Sequence, residues 1–233
     1  MSEPASLRRM LAEAARGAFP PADGTVTFLP QPSARDAGVI AFTAHTVVFA
    51  DTDAKPDAAP GAESGAESGA ESAALRALLP PGDLSAPLNP PFLTALAAGT
   101  GRRVNNIDLL TVAAPLPGPP PLDLRETEDR GHPRIVRALR HRDGVRAWTV
   151  PGGTVLLGRG VAGRWETAVE VDPDARGRGL GRRLALAARH LVPDGEPLWA
   201  QIAPGNAASV RALLSAGFTP VGAEALLVPP CAD

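Results

Sequence analysis

The first apolar stripe of the chain runs at helical spacing. Leu7, Met10, Leu11, Ala14 and Ala15 share one side of the stretch from Ala5 to Ala18, and Pro20-Pro21 stops it. A stripe of this kind reads as core packing, not as a membrane-surface helix. Thr25 to Leu29 alternates as a strand does. Val39 to Ala50, VIAFTAHTVVFA, is rich in β-branched and aromatic residues and reads as one or two strands, with a helix open on length alone. Ala73 to Leu79 reads as a short helix ending at Pro80-Pro81. Asn89 to Ala98 reads as another, started by Pro90-Pro91, and Arg103 to Ala113 as a strand.

The pattern lapses twice. Asp51 to Ser72 carries GAES three times between Gly61 and Ser72 and has no large apolar residue. It cannot bury a face and reads as a linker or loop insertion. Pro115 to Pro121, PLPGPPP, reads as a stiff hinge between an N-terminal unit, 1–114, and a C-terminal unit, 122–233.

Farther on, Val169 to Val171 ends a strand, Pro173-Asp174 break it, and a glycine-rich turn leads straight into a helix marked by Leu180, Leu184, Leu186, Ala187 and Leu191. Strand, glycine turn and helix start make an anion site. The helix start offers free N–H groups and a positive dipole end, and glycines let a phosphate come close to them. The dinucleotide fingerprint, G-x-G-x-x-G, needs its third glycine three residues after the second, and an acidic residue about 20 residues on. Here Gly177, Gly179 and Gly181 run into Arg182, so that pattern fails, and the Walker pattern is absent. What the turn does fit is R-x-x-G-x-G, as Arg176, Gly179 and Gly181. In this it resembles the acetyl-CoA pyrophosphate loop of the GCN5-related N-acetyltransferases. A second segment, PLWAQIAPGNAASVRALLSAGF, agrees. Asn206, Ser209, Arg211 and Gly217-Phe218 resemble that family's second signature, with Asn206 as the N-cap of a helix from Ala207 to Ser215.

Laid on the family's order, Leu122 to Glu126 is the first strand and His132 to His141 a short helix. Val145 to Val150 and Thr154 to Val161 are joined by a hairpin at Pro151-Gly152-Gly153, and Arg164 to Val171 follows. Beyond the helix from Leu180 to Leu191 come Leu198 to Ile202, Phe218 to Val221 and Glu224 to Val228. The expected fold is α/β in the broad sense (α+β). It has a mixed, mostly antiparallel sheet with flanking helices in the C-terminal domain and a smaller α/β N-terminal domain of unknown role.

The resemblance implies a site as well. Acetyl-CoA would lie where the fourth and fifth strands of the family order splay apart. Its pantetheine arm would meet the backbone of Val169 and Val171, and its pyrophosphate would meet Arg176, Gly177, Arg178, Gly179, Leu180, Gly181 and Arg182. Asn206 stands where the family places a contact to the arm. Direct attack of an amine on the thioester needs a proton acceptor. Glu166 and Glu170, four residues apart on one strand, share a face and are the candidates, as well as plain exposed carboxylates. The tyrosine that serves many members as acid is missing: the chain has no Tyr, and Leu213 stands at the matching position. Two functions follow, an acetyl-CoA-dependent N-acetyltransferase acting on an amine of a small molecule, amino acid or protein, or a catalytically inactive acetyl-CoA-binding sensor or interaction module.

Composition narrows the partners. At 233 residues, 44% hydrophobic and net charge −2, the chain is an ordinary globular one, and the balance argues against nucleic acid. Cys231, the lone cysteine, allows no disulfide within the chain and reads as a tail thiol. His45, His132, His141 and His190 lack ligand spacing, so no metal is expected. No signal peptide or membrane span is read, which makes cytoplasm the expected location. A homodimer and the identity of the acceptor are left open.

Overall fold

The computed structural model describes residues 6–51, 73–129 and 131–230. The GAES repeats and Cys231 lie outside the described residues. The chain forms two compact units, one of residues 1–10, 19–108 and 222–233, the other of residues 11–18 and 109–221. The Pro-rich run 115–121 therefore lies inside the second unit. Ten strands among the described residues belong to a mixed, mostly antiparallel sheet.

In the first unit the strands are β1 (Val26–Leu29), β2 (Ala37–Phe42) and β3 (His45–Phe49). The run VIAFTAHTVVF is thus two strands, paired antiparallel as a hairpin from Gly38–Phe49 to Phe42–His45. Their β-branched residues fill a core of Val39 and Val48 against Phe92, Leu93 and Leu96 of a helix at Pro90–Gly99 (α2), the helix α1 being Leu7–Ala14.

Apart from residues 11–18, the second unit begins within β4 (Arg103–Ala113) and continues through β5 (Arg125–Thr127), a helix α3 (Pro133–His141), β6 (Asp143–Val150), β7 (Gly153–Arg159) and β8 (Trp165–Val171). Then follow α4 (Leu180–Leu191), β9 (Leu198–Ile202), α5 (Ala207–Ser215) and β10 (Thr219–Val228), which passes into the first unit. Within the second unit the strand order is β4-β9-β8-β7-β6-β5. β7 is apolar on both sides because both sides are covered. Val155 and Leu157 meet Leu180, Leu184 and Ala188 of α4 in the main core. Leu156, pointing the other way, meets Ile135 and Ala138 of α3. Leu184 is fully buried, and burying a leucine side chain contributes roughly 2 kcal/mol.

Two readings need correction. Leu122 to Glu126 is not the first strand, whose ladder starts only at Arg125. Leu122 and Leu124 pack against the main core from irregular chain, so their apolar alternation reflects burial without pairing. The two closing strands are one. Gly222 is not among the glycines with positive φ, so nothing turns the chain there and β10 runs through.

Candidate active site

The site starts from an interrupted ladder. β8 and β9 are parallel neighbours, but they pair only at Trp165–Leu198 and Glu166–Trp199. Beyond these, Thr167 to Val171 keep β7 as a partner on one side and have none in β9 on the other. The direction of their peptide groups follows from the antiparallel ladder. Asp172 donates its N–H to Gly152 O at 2.9 Å and Gly160 donates to Arg164 O at 2.9 Å. Even-numbered residues of this register therefore face β7. The alternate residues Thr167, Val169 and Val171 turn their N–H and C=O groups toward the β9 side, into the notch. Val171 O there accepts the Nε–H of Arg176 at 3.1 Å.

At the open end of the notch stands the glycine loop. Gly177 and Gly179 both have φ of +75°, the left-handed region, and a Cβ on either would meet nothing. Gly179 is the N-cap of α4 and offers no side-chain cap. The first helical bond is Arg183 N–H to Gly179 O, so the N–H groups of Leu180, Gly181 and Arg182 have no acceptor within the helix. Arg176, Arg178, Arg182 and Arg183 are exposed around them. Arg182 donates to Ser215 O, whereas Arg178 and Arg183 have no side-chain partner among the described residues. The loop thus combines unmade N–H bonds, a helix dipole and exposed guanidinium charge, which is chemistry for a polyanion. Asn206 caps α5, its Oδ1 accepting from Ser209 N–H at 3.1 Å, which leaves its amide NH2 to other partners.

The two carboxylates of β8 do share a face, toward α3, but their surroundings differ. Glu170 is half-exposed and held at one oxygen by Arg134 Nε of α3, 2.8 Å away. Glu166 is buried. Its Oε1 accepts from Val161 N–H, Arg164 Nε and Gln201 Nε2, and its Oε2 accepts from Arg142 Nε. Gly160 has no Cβ where the Glu166 carboxyl lies, so that close approach requires glycine. Burial alone pushes the Glu166 carboxyl up, but the charges of Arg164 and Arg142 outweigh it and hold it down at about 2. Glu166 is therefore a buried counter-ion to Arg164 and Arg142. Leu213, at the position of the missing tyrosine, sits in the main core.

Sequence reasoning missed Arg134, Arg142, Arg164 and Gln201. Only Gln201 carried a signal, as the one polar residue in LWAQI. Among the described residues no group of three His, Cys, Asp or Glu could hold a metal ion. No helix there is long and apolar enough to cross a membrane.

Residues 167–225 match the family model described as FR47-like protein. That stretch runs from β8 through the glycine loop, α4, β9 and α5 into β10. FR47-like domains are related to the GCN5-related N-acetyltransferases, and this stretch of the chain is similar to them. Among solved structures, a GCN5-related N-acetyltransferase from Kribbella flavida is similar at 18% identity, with 60% of this chain and 65% of that one covered and a TM-score of 0.40. The match thus spans less than two thirds of that protein. An acetyltransferase described as of the GNAT family, from Novosphingobium aromaticivorans, is similar at 22% identity over 56% of this chain and 68% of that one, TM-score 0.36. No curated protein matches the sequence.

The residues present fit acetyl-CoA. The peptide groups of Val169 and Val171 on the notch side suit an amide-bearing arm, and the space over Gly177 and Gly179 suits a pyrophosphate.

Proposed function

We propose that the chain is an acetyl-CoA-dependent N-acetyltransferase that moves an acetyl group to a primary amine. The observation that carries this reading is the notch itself, where the β8–β9 ladder ends at Glu166–Trp199 while β8 runs on toward a glycine loop at a helix start. Acetyl-CoA supplies the acetyl group already activated as a thioester. The residues of the chain have separate tasks. Leu180, Gly181 and Arg182 hold the pyrophosphate with backbone N–H groups, and Arg176, Arg178 and Arg183 add charge. Val169 and Val171 hold the arm through their backbone, and Asn206 offers its free amide NH2 to it. Glu170 takes the amine proton at the carboxylate oxygen that Arg134 leaves open.

A second reading is supported by Leu213. With leucine buried where the family's acid stands, and no tyrosine in the chain, thiolate departure has no side-chain acid at that position. A module that binds acetyl-CoA without transferring its acetyl group would look the same. Single-turnover transfer to a panel of amines separates the two. Acetylated product that depends on Glu170 supports the enzyme. Tight acetyl-CoA binding with no product from any amine supports the binding module.

A further inference from the structure

Where the backbone ladder between β8 and β9 stops, a side-chain link takes over. Gln201 lies two residues past Trp199, the last residue of β9 that pairs with β8. Leu198, Ala200 and Ile202 point into the main core, so alternation sends Trp199 and Gln201 to the opposite face, the face of Glu166 and α3. There Gln201 Nε2 donates to Glu166 Oε1 at 3.1 Å, across the closed end of the notch. Its other end, Oε1, accepts from Arg142 Nη2 at 3.3 Å, while Arg142 Nε donates to Glu166 Oε2 at 2.8 Å. The three side chains close a triangle. One corner is on β8, one on β9, and one at the C-terminal cap of α3, where Arg142 N–H bonds Ala138 O.

The triangle is anchored. Glu166 cannot swing, because Arg164 Nε and Val161 N–H hold the same oxygen that Gln201 uses. Both ends of the Gln201 amide are bonded in opposite senses, which fixes its orientation. Two strands that have lost their ladder have no backbone bond to set their separation. A rigid buried side-chain bridge does set it.

We propose that Gln201, Arg142 and Glu166 are positioning residues that clamp the notch at one width, so that it accepts the thioester arm. The proposal rests on the reading of the notch as the acetyl-CoA site. It assigns the three residues no contact with reacting atoms. Their effect is on the arm that must pass between the strands, and not on a ligand held by the glycine loop alone.

The test compares two ligands on the full chain by titration calorimetry, acetyl-CoA and ADP. ADP carries the pyrophosphate but no pantetheine arm. Gln201→Met keeps the volume and removes both hydrogen bonds. The expected result is an acetyl-CoA affinity lowered by about tenfold or more, the scale of hydrogen bonds to charged groups, with ADP affinity unchanged. Equal acetyl-CoA affinity in wild type and variant would overturn the clamp, as would an equal loss for both ligands, which marks general damage. Should Gln201→Met fail to fold, Arg142→Lys decides by the same readout, since lysine keeps a charge beside Glu166 but offers a single nitrogen in place of the planar fork whose Nε and Nη2 reach Glu166 and Gln201 separately. A wild-type chain that binds no acetyl-CoA would overturn the reading of the site itself, a result distinct from the loss of the clamp alone.

Discussion

Replacing Glu166 by Gln tests whether that residue is a buried counter-ion. Glutamine has the same shape but no charge, so Arg164 and Arg142, with side chains 4% and 13% exposed, lose the carboxylate between them. Removing one partner of a buried ion pair costs about 3–5 kcal/mol, because the remaining charge stays desolvated. In a chain of this size that lowers the melting temperature by on the order of 10 °C. The acid dependence gives a sharper check. The carboxyl lies at about 2 in the folded chain, below its ordinary 4.5. The group is thus stabilising in its charged form. Its contribution is complete above about pH 5 and fades as pH falls through 4.5 toward 2. Wild type and Glu166→Gln should therefore differ most near neutral pH and converge in acid. Urea denaturation of both chains at a series of pH values measures this. A variant as stable as wild type at neutral pH, or a gap that does not narrow in acid, would refute the counter-ion assignment.

Three further outcomes are expected. Glu170→Gln should slow single-turnover acetyl transfer at neutral pH by about 10²–10⁴, the usual scale for a lost general base; stopped turnover with acetyl-CoA and a responsive amine reads it, and an unchanged rate removes Glu170 from the chemistry. Leu184→Ala, at a position with no exposed surface in the main core, should cost about 2–5 kcal/mol in denaturant unfolding, and a cost under about 1 kcal/mol would mean the core beneath α4 is looser than described. Asn206→Ala removes the cap of α5 and should cost about 1 kcal/mol, read as a melting shift of a few degrees; a fully neutral change would mean the cap bond to Ser209 contributes nothing.

Much of the second unit was legible along the chain, for reasons that are local. Leu180, Leu184, Ala187 and Leu191 mark a helix by spacing, and α4 spans Leu180–Leu191 as that spacing predicts. Asn206 and Gly217 bracket α5 with the chemistry that helix ends need, and α5 fills Ala207–Ser215 between them. The shared face of Glu166 and Glu170 follows from strand alternation alone. What faces them does not. Arg142 and Gln201 approach Glu166 from 24 and 35 residues away, and no periodicity encodes such a meeting. One carboxylate became a counter-ion and the other stayed half-exposed because of those distant partners. The irregular path of Leu122 and Leu124 was hidden for a related reason. Apolar alternation marks burial, and only a neighbouring strand turns burial into a ladder.

Titration of acetyl-CoA into the wild-type chain and into Gly181→Glu tests the central claim most directly. A Cβ on Gly181 meets only Val171 and Ala212 at ordinary contact distances of 3.6 and 3.8 Å. The fold should therefore accept the substitution, while a carboxylate among the free N–H groups of α4 repels a pyrophosphate. The expected result is saturable binding to wild type and loss of at least about a hundredfold in affinity in the variant, on the scale of a buried charge mismatch of a few kcal/mol. Unchanged affinity in Gly181→Glu, or no binding to wild type, would contradict the assignment of the notch and glycine loop as an acetyl-CoA site.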